Sequence, residues 1–228
     1  MAQAFSHPRY GPLPDVLPIF PLAGVLLLPR GSLPLNIFEE RYLAMINDAL
    51  KTDHRMIGMI QPTGADDADT AAAPDRTGPT VYPLGCAGRI VGFQEQGDGR
   101  FLITLHGVCR FNIEEELDMV HGYRQVRPGF ALFELDMDED YIRGEVDRDS
   151  LFAALGTYFK TNNIDPNWKS IEAMGDRMLV TSLAMGCPFN PSEKQALLEA
   201  DALPDRADVL TALLKMADAT RSDDSTRH

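Results

Sequence analysis

The sequence predicts an α+β fold, in which an N-terminal antiparallel β-rich lobe with one inserted helix precedes a C-terminal helical bundle. Three observations predict it. Short apolar runs bounded by Pro and Gly fill residues 16–38, apolar residues alternate over residues 101–113, and the apolar period becomes helical after residue 149. The predicted organisation is a β-rich lobe over 14–135, a linker over 136–148 and a helical lobe over 149–221.

The first apolar runs read VLPIF, GVLLL and LPLNIF, and Pro and Gly punctuate them, which favours strands over helices. After Phe38 the apolar residues recur at steps of three and four. Glu39 and Glu40 begin this stretch and Lys51 ends it, an order of charges that suits the helix dipole. We therefore predict one amphipathic helix over 38–51, followed by a strand over 54–61.

Residues 62–79 differ sharply in composition from what precedes them. They are mainly Ala, Asp, Gly, Thr and Pro, which supply little apolar surface to bury. This stretch is predicted to be a mobile acidic loop.

The clearest local signal is a hairpin. Apolar residues or Gly occupy the odd positions from Phe101 to Ile113, which is typical of a strand with one buried face. Its partner is predicted over 85–94, and residues 96–100 supply Gly and Asp for the turn. Because the strand is unusually long, a bend or bulge is expected near Gly107. A further strand over 123–135 would complete the sheet.

Beyond the acidic stretch 136–149, apolar residues recur at helical spacing in three segments, which begin at Leu151, Ile171 and Leu203. Between the last two lies the sequence Asn190-Pro-Ser-Glu193. Asn190 can cap a helix, Pro suits the first helical position, and Glu193 can reach back to the cap. These signals predict a small helical bundle.

Composition restricts the function. The formal net charge of −13 argues against nucleic acid and anionic membranes as partners. Cys86, Cys109 and Cys187 have apolar neighbours and no CxxC spacing, so we expect reduced core thiols and a cytoplasmic protein. No signal peptide is recognisable, and no stretch approaches the roughly 18 apolar residues of a membrane helix.

Motifs for catalysis are absent from the sequence. It contains no GxxxxGK[ST], no GxSxG and no HExxH, and its histidines lack metal-ligand spacing, so no cofactor or metal is expected. Gly92 and Gly97 have phosphate-loop spacing, but Asp98 follows where Lys is required. A Ser-Lys dyad needs no short motif; the lysines are nevertheless predicted to be surface residues.

Two groups of residues are candidates for contact with a partner. The first comprises apolar residues in Pro-limited runs, which are poor at forming central strands and so can lie on an edge, although burial in the core is the competing interpretation. Its members are Phe20, Pro21, Leu22, Leu27 and Pro29. The second group is Arg41, Arg89 and Arg110. For these, a structural ion pair is the competing interpretation.

The runs Leu17-Pro-Ile-Phe-Pro-Leu22 and Leu33-Pro-Leu-Asn-Ile-Phe-Glu-Glu-Arg-Tyr42 resemble the opening signature of the Lon protease N-terminal domain family. Gly85-Cys-Ala-Gly-Arg-Ile90 and Gly107-Val-Cys-Arg-Phe111 resemble a later signature of the same family. The resemblance implies a PUA-like β-rich lobe followed by a helical lobe, and a role in engaging unfolded substrates. The nucleotide-binding motor and Ser-Lys peptidase of a Lon protease have no counterpart in this sequence.

Three hypotheses follow. The first is a non-catalytic polypeptide-binding or adaptor module that binds unfolded or apolar segments and works beside a protease or chaperone, with self-association left open. The second is a regulatory subunit of a peptidase or a residual peptidase. The third is an RNA-binding protein, because PUA-like folds elsewhere bind RNA; the acidity of the chain argues against it.

Overall fold

The computed structural model describes residues 6–7, 11–64, 79–138 and 144–225. Two compact units divide the chain, residues 1–141 and 142–228. Residues 65–78 of the predicted mobile loop and 139–143 of the predicted linker lie outside the described residues. The domain limits drawn from the sequence therefore stay a prediction.

Within the described ranges, the first unit contains a six-stranded mixed sheet, a two-stranded sheet, one α-helix and one 3-10 helix, which confirms the α+β class. Its strands are β1 (Ser6–His7), β2 (Gly11–Pro12), β3 (Leu17–Pro21), β4 (Ser32–Ile37), β5 (Met56–Ile60), β6 (Leu84–Glu95), β7 (Phe101–Val120) and β8 (Tyr123–Gly129), and its helix is α1 (Glu40–Lys51). Strands β1 and β2 form a separate pair. The other six strands lie in the order β4-β7-β6-β5-β3-β8, and β8 also pairs with β7, which closes a barrel.

One strand pair departs from the predicted antiparallel arrangement. Strands β3 and β5 are parallel, with Ile19 opposite Gly58. Parallel neighbours need a crossover connection, and here β4 and α1 provide it. Apolar patterning reports which face of a strand is buried and carries no information on strand direction, so the sequence could not show this pair.

Strand β7 is the longest element of the barrel, at 20 residues. Its first half pairs with β4 and β6, and its second half pairs with β8. Ala87 lies opposite Cys109 while Gly88 lies opposite Gly107, so Val108 is an extra residue in the ladder. This confirms the predicted bulge near Gly107, and the bend lets one strand serve both sides of the closed sheet.

The run GVLLL was predicted to be a strand and is not one. Residues 22–31 are irregular, although Leu27 and Leu28 are fully buried. The segment crosses β7 so closely that a Cβ atom on Gly107 would overlap the Leu28 carbonyl oxygen. The apolar run therefore reflects burial, and the missing side chain at Gly107 is what admits the segment.

The ring of Phe111 fills the interior of the barrel. A Cβ atom on either Gly58 or Gly85 would lie 2.7 Å from its Cζ atom. The ring is fully buried and belongs to a core that includes Leu17 and Val126. Two neighbouring strands thus carry Gly where the aromatic ring needs the space.

The predicted strand over 123–135 was wrong in its second half. Strand β8 ends at Gly129, directly after Pro128, which has no N–H to donate to a ladder. A 3-10 helix then spans Ala131–Met137. Asp136, assigned by sequence to the linker, lies in this helix and binds Arg110, which fixes the chain over the barrel.

The second unit is helical in its described part, as predicted. Its helices are α2 (Arg148–Thr161), α3 (Trp168–Glu172), α4 (Asp176–Gly186), α5 (Pro191–Glu199) and α6 (Leu203–Ser225). The predicted cap is confirmed: the Glu193 backbone N–H donates to Asn190 Oδ1 at 2.8 Å, and the Asn190 N–H donates to Glu193 Oε2 at 2.8 Å. Pro191 stands at the first position of α5, where its missing N–H costs nothing.

Candidate functional site

The candidate site lies in the first unit, where the turn between β7 and β8 meets the C-terminal half of α1. Val120 lies opposite Tyr123, which leaves His121 and Gly122 as a two-residue turn. Both have positive φ, 48° and 83°, as the turns preferred by twisted hairpins require. This geometry directs the His121 and Tyr123 side chains toward the helix.

Asp48 of α1 contacts both His121 and Tyr123 of this turn. Its Oδ2 atom lies 2.7 Å from His121 Nδ1 and accepts a hydrogen bond from the Tyr123 hydroxyl at 3.1 Å. Lys51 donates to its other oxygen at 3.0 Å. The bonds from Lys51 and His121 lower the pKa of Asp48, so it is a carboxylate at neutral pH. Burial and the Asp48 charge raise the pKa of Tyr123 to about 12, so its hydroxyl remains a donor.

A cavity of about 710 Å³ opens beside this contact, and we call it the Tyr123 groove. One wall is the segment around β2 and β3, and the other is the end of α1 with the residues that follow it. The groove is lined by Gly11, Pro12, Leu13, Pro14, Asp15, Val16, Pro18, Asp48, Ala49, Thr52, Asp53, His54, Tyr123 and Gln125. Its apolar lining is thus largely Pro and aliphatic side chains, and its charged lining is acidic.

His54 contributes a neutral polar group to the groove. Its Nδ1 atom accepts a hydrogen bond from the Met56 N–H at 3.1 Å, which requires an unprotonated nitrogen. Burial, reinforced by the positive charge of Arg89, lowers the pKa of His54. At pH 7 the imidazole therefore adds no positive charge to the groove.

A second, smaller cavity of about 120 Å³ shares Tyr123 with the groove. Its lining is Pro21, Arg41, Tyr42, Pro79, Gly122, Tyr123 and Arg124. The Arg41 guanidinium lies 4.6 Å from the centre of the Tyr42 ring and donates to Glu39 at 2.8 Å. Arg41 was expected either to clamp α1 to the sheet or to contact a ligand; its ion pair is local to the start of α1, and its side chain faces this cavity.

Arg124 forms the inner wall of the small cavity. Its guanidinium donates to both oxygens of Glu116, at 2.7 and 3.0 Å, and to the Pro79 carbonyl oxygen at 2.8 Å. The side chain is 9% exposed. These guanidinium N–H groups donate within the protein, so Arg124 of β8 links its strand to β7 and to residue 79.

The structure brings together two of the predicted contact residues, Pro21 and Arg41, at the small cavity. Phe20 lies behind them, buried, with its ring centre 4.2 Å from that of Tyr42. Leu22 follows, half-buried, and its N–H donates to the Ile60 carbonyl oxygen at 3.1 Å. These residues form a continuous strip at the end of β3.

The remaining predicted residues lie elsewhere in the unit. Leu27 is 1% exposed and packs toward Gly88, so the competing core interpretation describes it. Pro29 is half-buried in the irregular segment over β7. Arg89 is half-buried on β6, with Met56 and His106 opposite it in register on the two neighbouring strands.

Arg110 is structural. Its side chain is 6% exposed, donates to both Asp136 oxygens at 2.9 and 3.0 Å, and lies over the Phe133 ring at 4.8 Å. This contact matches the competing interpretation of a structural ion pair, because Asp136 occupies the guanidinium donors. A role of Arg110 in partner contact stays a prediction.

Sequence reasoning missed Val16, Asp48 and Tyr123. Asp48 and Tyr123 are 75 residues apart in the chain, so no local pattern joins them. One signal was available: a Gly at 122 between two strand-like segments indicates a tight turn, and α1 was already predicted. Nothing in the sequence indicated which helix the turn would meet.

The contacts of two lysines and the state of two buried cysteines bear on the peptidase hypothesis. The Lys215 ammonium lies 3.4 Å from Ser150 Oγ, and this contact is exposed to solvent. Burial lowers the pKa of Lys194, yet its ammonium donates to the Met185 carbonyl oxygen at 3.4 Å and not to a Ser. Burial also raises the pKa of the Cys109 and Cys187 thiols, which makes them poor nucleophiles.

The described ranges also lack a metal-binding cluster and a membrane-spanning helix. No group of three or more His, Cys, Asp or Glu residues there is placed to hold a metal ion. Likewise, no helix in those ranges has both the length and the apolarity needed to cross a bilayer.

Residues 16–216 match the family model of the ATP-dependent protease La (LON) substrate-binding domain. The chain belongs to this family. Curated relatives agree: "Lon protease 2" of Myxococcus xanthus is 32% identical over 103 residues, which are 45% of this chain and 12% of the relative. "Lon protease" of Syntrophus aciditrophicus is 24% identical over 208 residues, which are 89% of this chain and 22% of the relative. The chain thus spans less than a quarter of the length of either relative.

Solved structures show the same fold. The Lon N-terminal domain protein from Xanthomonas campestris superposes with a TM-score of 0.57 at 21% identity, covering 86% of this chain and 97% of that one. The N-terminal domain of the Mycobacterium avium complex Lon protease has a TM-score of 0.55 at 13% identity, covering 88% and 98%. Family membership confirms the resemblance drawn from the signatures at residues 17–42 and 85–111.

Proposed function

We propose that this chain is a non-catalytic polypeptide-binding module and that unfolded or apolar segments bind along the Tyr123 groove. The observation that carries the proposal is the match to a substrate-binding domain family over 16–216. The relatives are Lon proteases by name, so the module works as an adaptor that passes bound polypeptide to a protease or chaperone.

The groove has properties that suit this role. Its volume of about 710 Å³ is within the roughly 300–1,000 Å³ of typical ligand sites. Val16, 39% exposed, offers apolar surface, and Pro12 and Pro14 make the wall rigid. Apolar side chains of an extended segment would lose water on entering, and binding would cost little rearrangement of the protein.

Titration of a labelled, permanently unfolded polypeptide tests the proposal. We expect saturable binding, and weaker binding to Val16→Ser, because a hydroxyl replaces apolar surface on the groove wall. Leu102→Ser is the matched control: Leu102 is 43% exposed on β7 and does not line the groove. Absence of binding by the wild-type chain at high micromolar concentration contradicts the proposed function, and equal weakening by both variants contradicts the site.

The proposal also excludes hydrolysis by this chain. The purified chain is expected to leave casein and fluorogenic peptides intact, with and without ATP. Turnover that disappears in Lys215→Met would make the contact between Lys215 and Ser150 a catalytic pair and would replace the binding function by a peptidase.

A further inference from the structure

We infer that the Tyr123 groove selects polypeptide segments in which basic residues stand next to apolar ones. This inference rests on the proposed function and names its substrate class. The reason is the composition of the lining: Asp15, Asp48 and Asp53 are acidic residues, and no Lys or Arg is among the described residues that line the cavity.

The three acids do not contribute equally. Asp48 is hydrogen-bonded to Lys51, His121 and Tyr123, so its charge is largely compensated within the protein. Asp15 and Asp53 are exposed on opposite walls of the groove. They are therefore the two charges that a bound segment would meet.

Apolar and acidic surfaces alternate along the groove. Val16 follows Asp15 directly on one wall. On the other wall, Ala49 lies in the last turn of α1, and Asp53 lies four residues later, beyond the end of the helix. A Lys or Arg side chain can lay its methylene stem on the aliphatic surface while its charged end reaches a carboxylate. A segment with apolar residues and no cation would contact the aliphatic surface and leave the Asp15 and Asp53 side chains without an ion pair to the segment.

The charge of the whole chain acts in the same direction. A net charge of −13 attracts cationic segments over a distance and repels acidic ones. The groove's own contribution is local and must be separated from this general attraction, because any substitution of an acid changes both. The test therefore needs a control variant that removes the same charge elsewhere.

The experiment uses three fluorescent peptides of about 12 residues that share an apolar centre and differ in their flanks, which are Lys and Arg, Ser, or Glu. Each is titrated into the wild-type chain, Asp15→Asn/Asp53→Asn and the control Asp98→Asn/Asp118→Asn. Asp98 and Asp118 are exposed, lie in the first unit and do not line the groove. Both variants change the net charge by the same amount.

We expect the wild-type chain to bind the basic peptide most tightly. Asp15→Asn/Asp53→Asn should weaken that binding about 5-fold, a size typical of two solvent-screened ion pairs, and should leave the Ser-flanked peptide unchanged. The control should change binding of the basic peptide by less than about 2-fold.

Equal binding of all three peptides by the wild-type chain overturns the inference and leaves the proposed function standing. Equal weakening by the two variants also overturns it, since the preference then comes from net charge alone. Failure of every peptide to bind removes both the inference and the proposed function.

Discussion

His121 Nδ1 lies 2.7 Å from Asp48 Oδ2, and this contact joins the tip of the β7–β8 hairpin to helix α1 across 73 residues of sequence. Tyr123 donates to the same oxygen. The hairpin end thereby becomes a wall of both cavities. The position of this wall consequently depends on the Asp48 carboxylate.

The first prediction concerns this carboxylate. Asp48→Ala removes the acceptor of the buried Tyr123 hydroxyl, and we expect the free energy of unfolding to fall by about 1–3 kcal/mol. Urea denaturation at pH 7 measures it. Asp118→Ala, at an exposed position, should change stability by less than about 0.5 kcal/mol. A loss no larger than that of this control would show that the hairpin does not depend on Asp48.

The second prediction concerns pH. Because burial and Arg89 lower the folded-state pKa of His54 below the roughly 6.5 of an unfolded chain, the folded state binds a proton less readily than the unfolded one. His54 therefore contributes fully to stability above about pH 6.5, and its contribution declines as the pH falls through that value toward the folded-state pKa.

Urea denaturation between about pH 7.5 and 5 tests this prediction, with His54→Asn as the comparison. The Asn side chain keeps an acceptor for the Met56 N–H and does not titrate. The loss of stability toward acid should be smaller in the variant than in the wild-type chain. An NMR titration that places the His54 pKa at or above about 6.5 would contradict the prediction directly.

The third prediction concerns the crossing of residues 22–31 over β7. Gly107→Ala places a methyl group against the Leu28 carbonyl oxygen, which is backbone and has little room to move. We expect a destabilisation of about 1–3 kcal/mol, the usual size for overpacking. Thermal unfolding measures it. Gly97→Ala is the control, since no atom lies within 4 Å of its added methyl group; similar losses in both variants would mean that the crossing is not tight.

The fourth prediction separates a buried ion pair from an exposed one. Arg110→Met leaves the Asp136 carboxylate, 12% exposed, without its partner, and should cost about 3–5 kcal/mol. Arg127→Met breaks the exposed pair with Glu115 and should cost less than about 1 kcal/mol. Chemical denaturation of both variants gives the comparison.

A double variant shows whether the buried pair is needed at all. Arg110→Met/Asp136→Leu removes both charges, so no uncompensated carboxylate remains, and much of the lost stability should return. If the double variant is as unstable as Arg110→Met, the hydrogen bond from the Arg110 backbone N–H to Asp136 matters more than the charge pair.

Local signals predicted local structure well. The charge order around α1, the cap at Asn190 and the bulge near Gly107 each depend on residues within a few positions of one another, and each is present. The candidate site was predicted only in part. Pro21 and Arg41 meet at the small cavity, whereas Asp48, Val16 and Tyr123 come from separate elements that only the closed barrel brings together.

By itself, the sequence determined the α+β class, the types of most elements and the family signatures, because periodicity and capping are properties of short segments. Tertiary structure decided the parallel β3–β5 pair, the irregular course of GVLLL, the 3-10 helix after Gly129 and the meeting of His121 with Asp48. The physical reason is that an apolar pattern records which side chains avoid water. Strand direction, hydrogen-bond partners and distant contacts depend on how those buried faces are packed together.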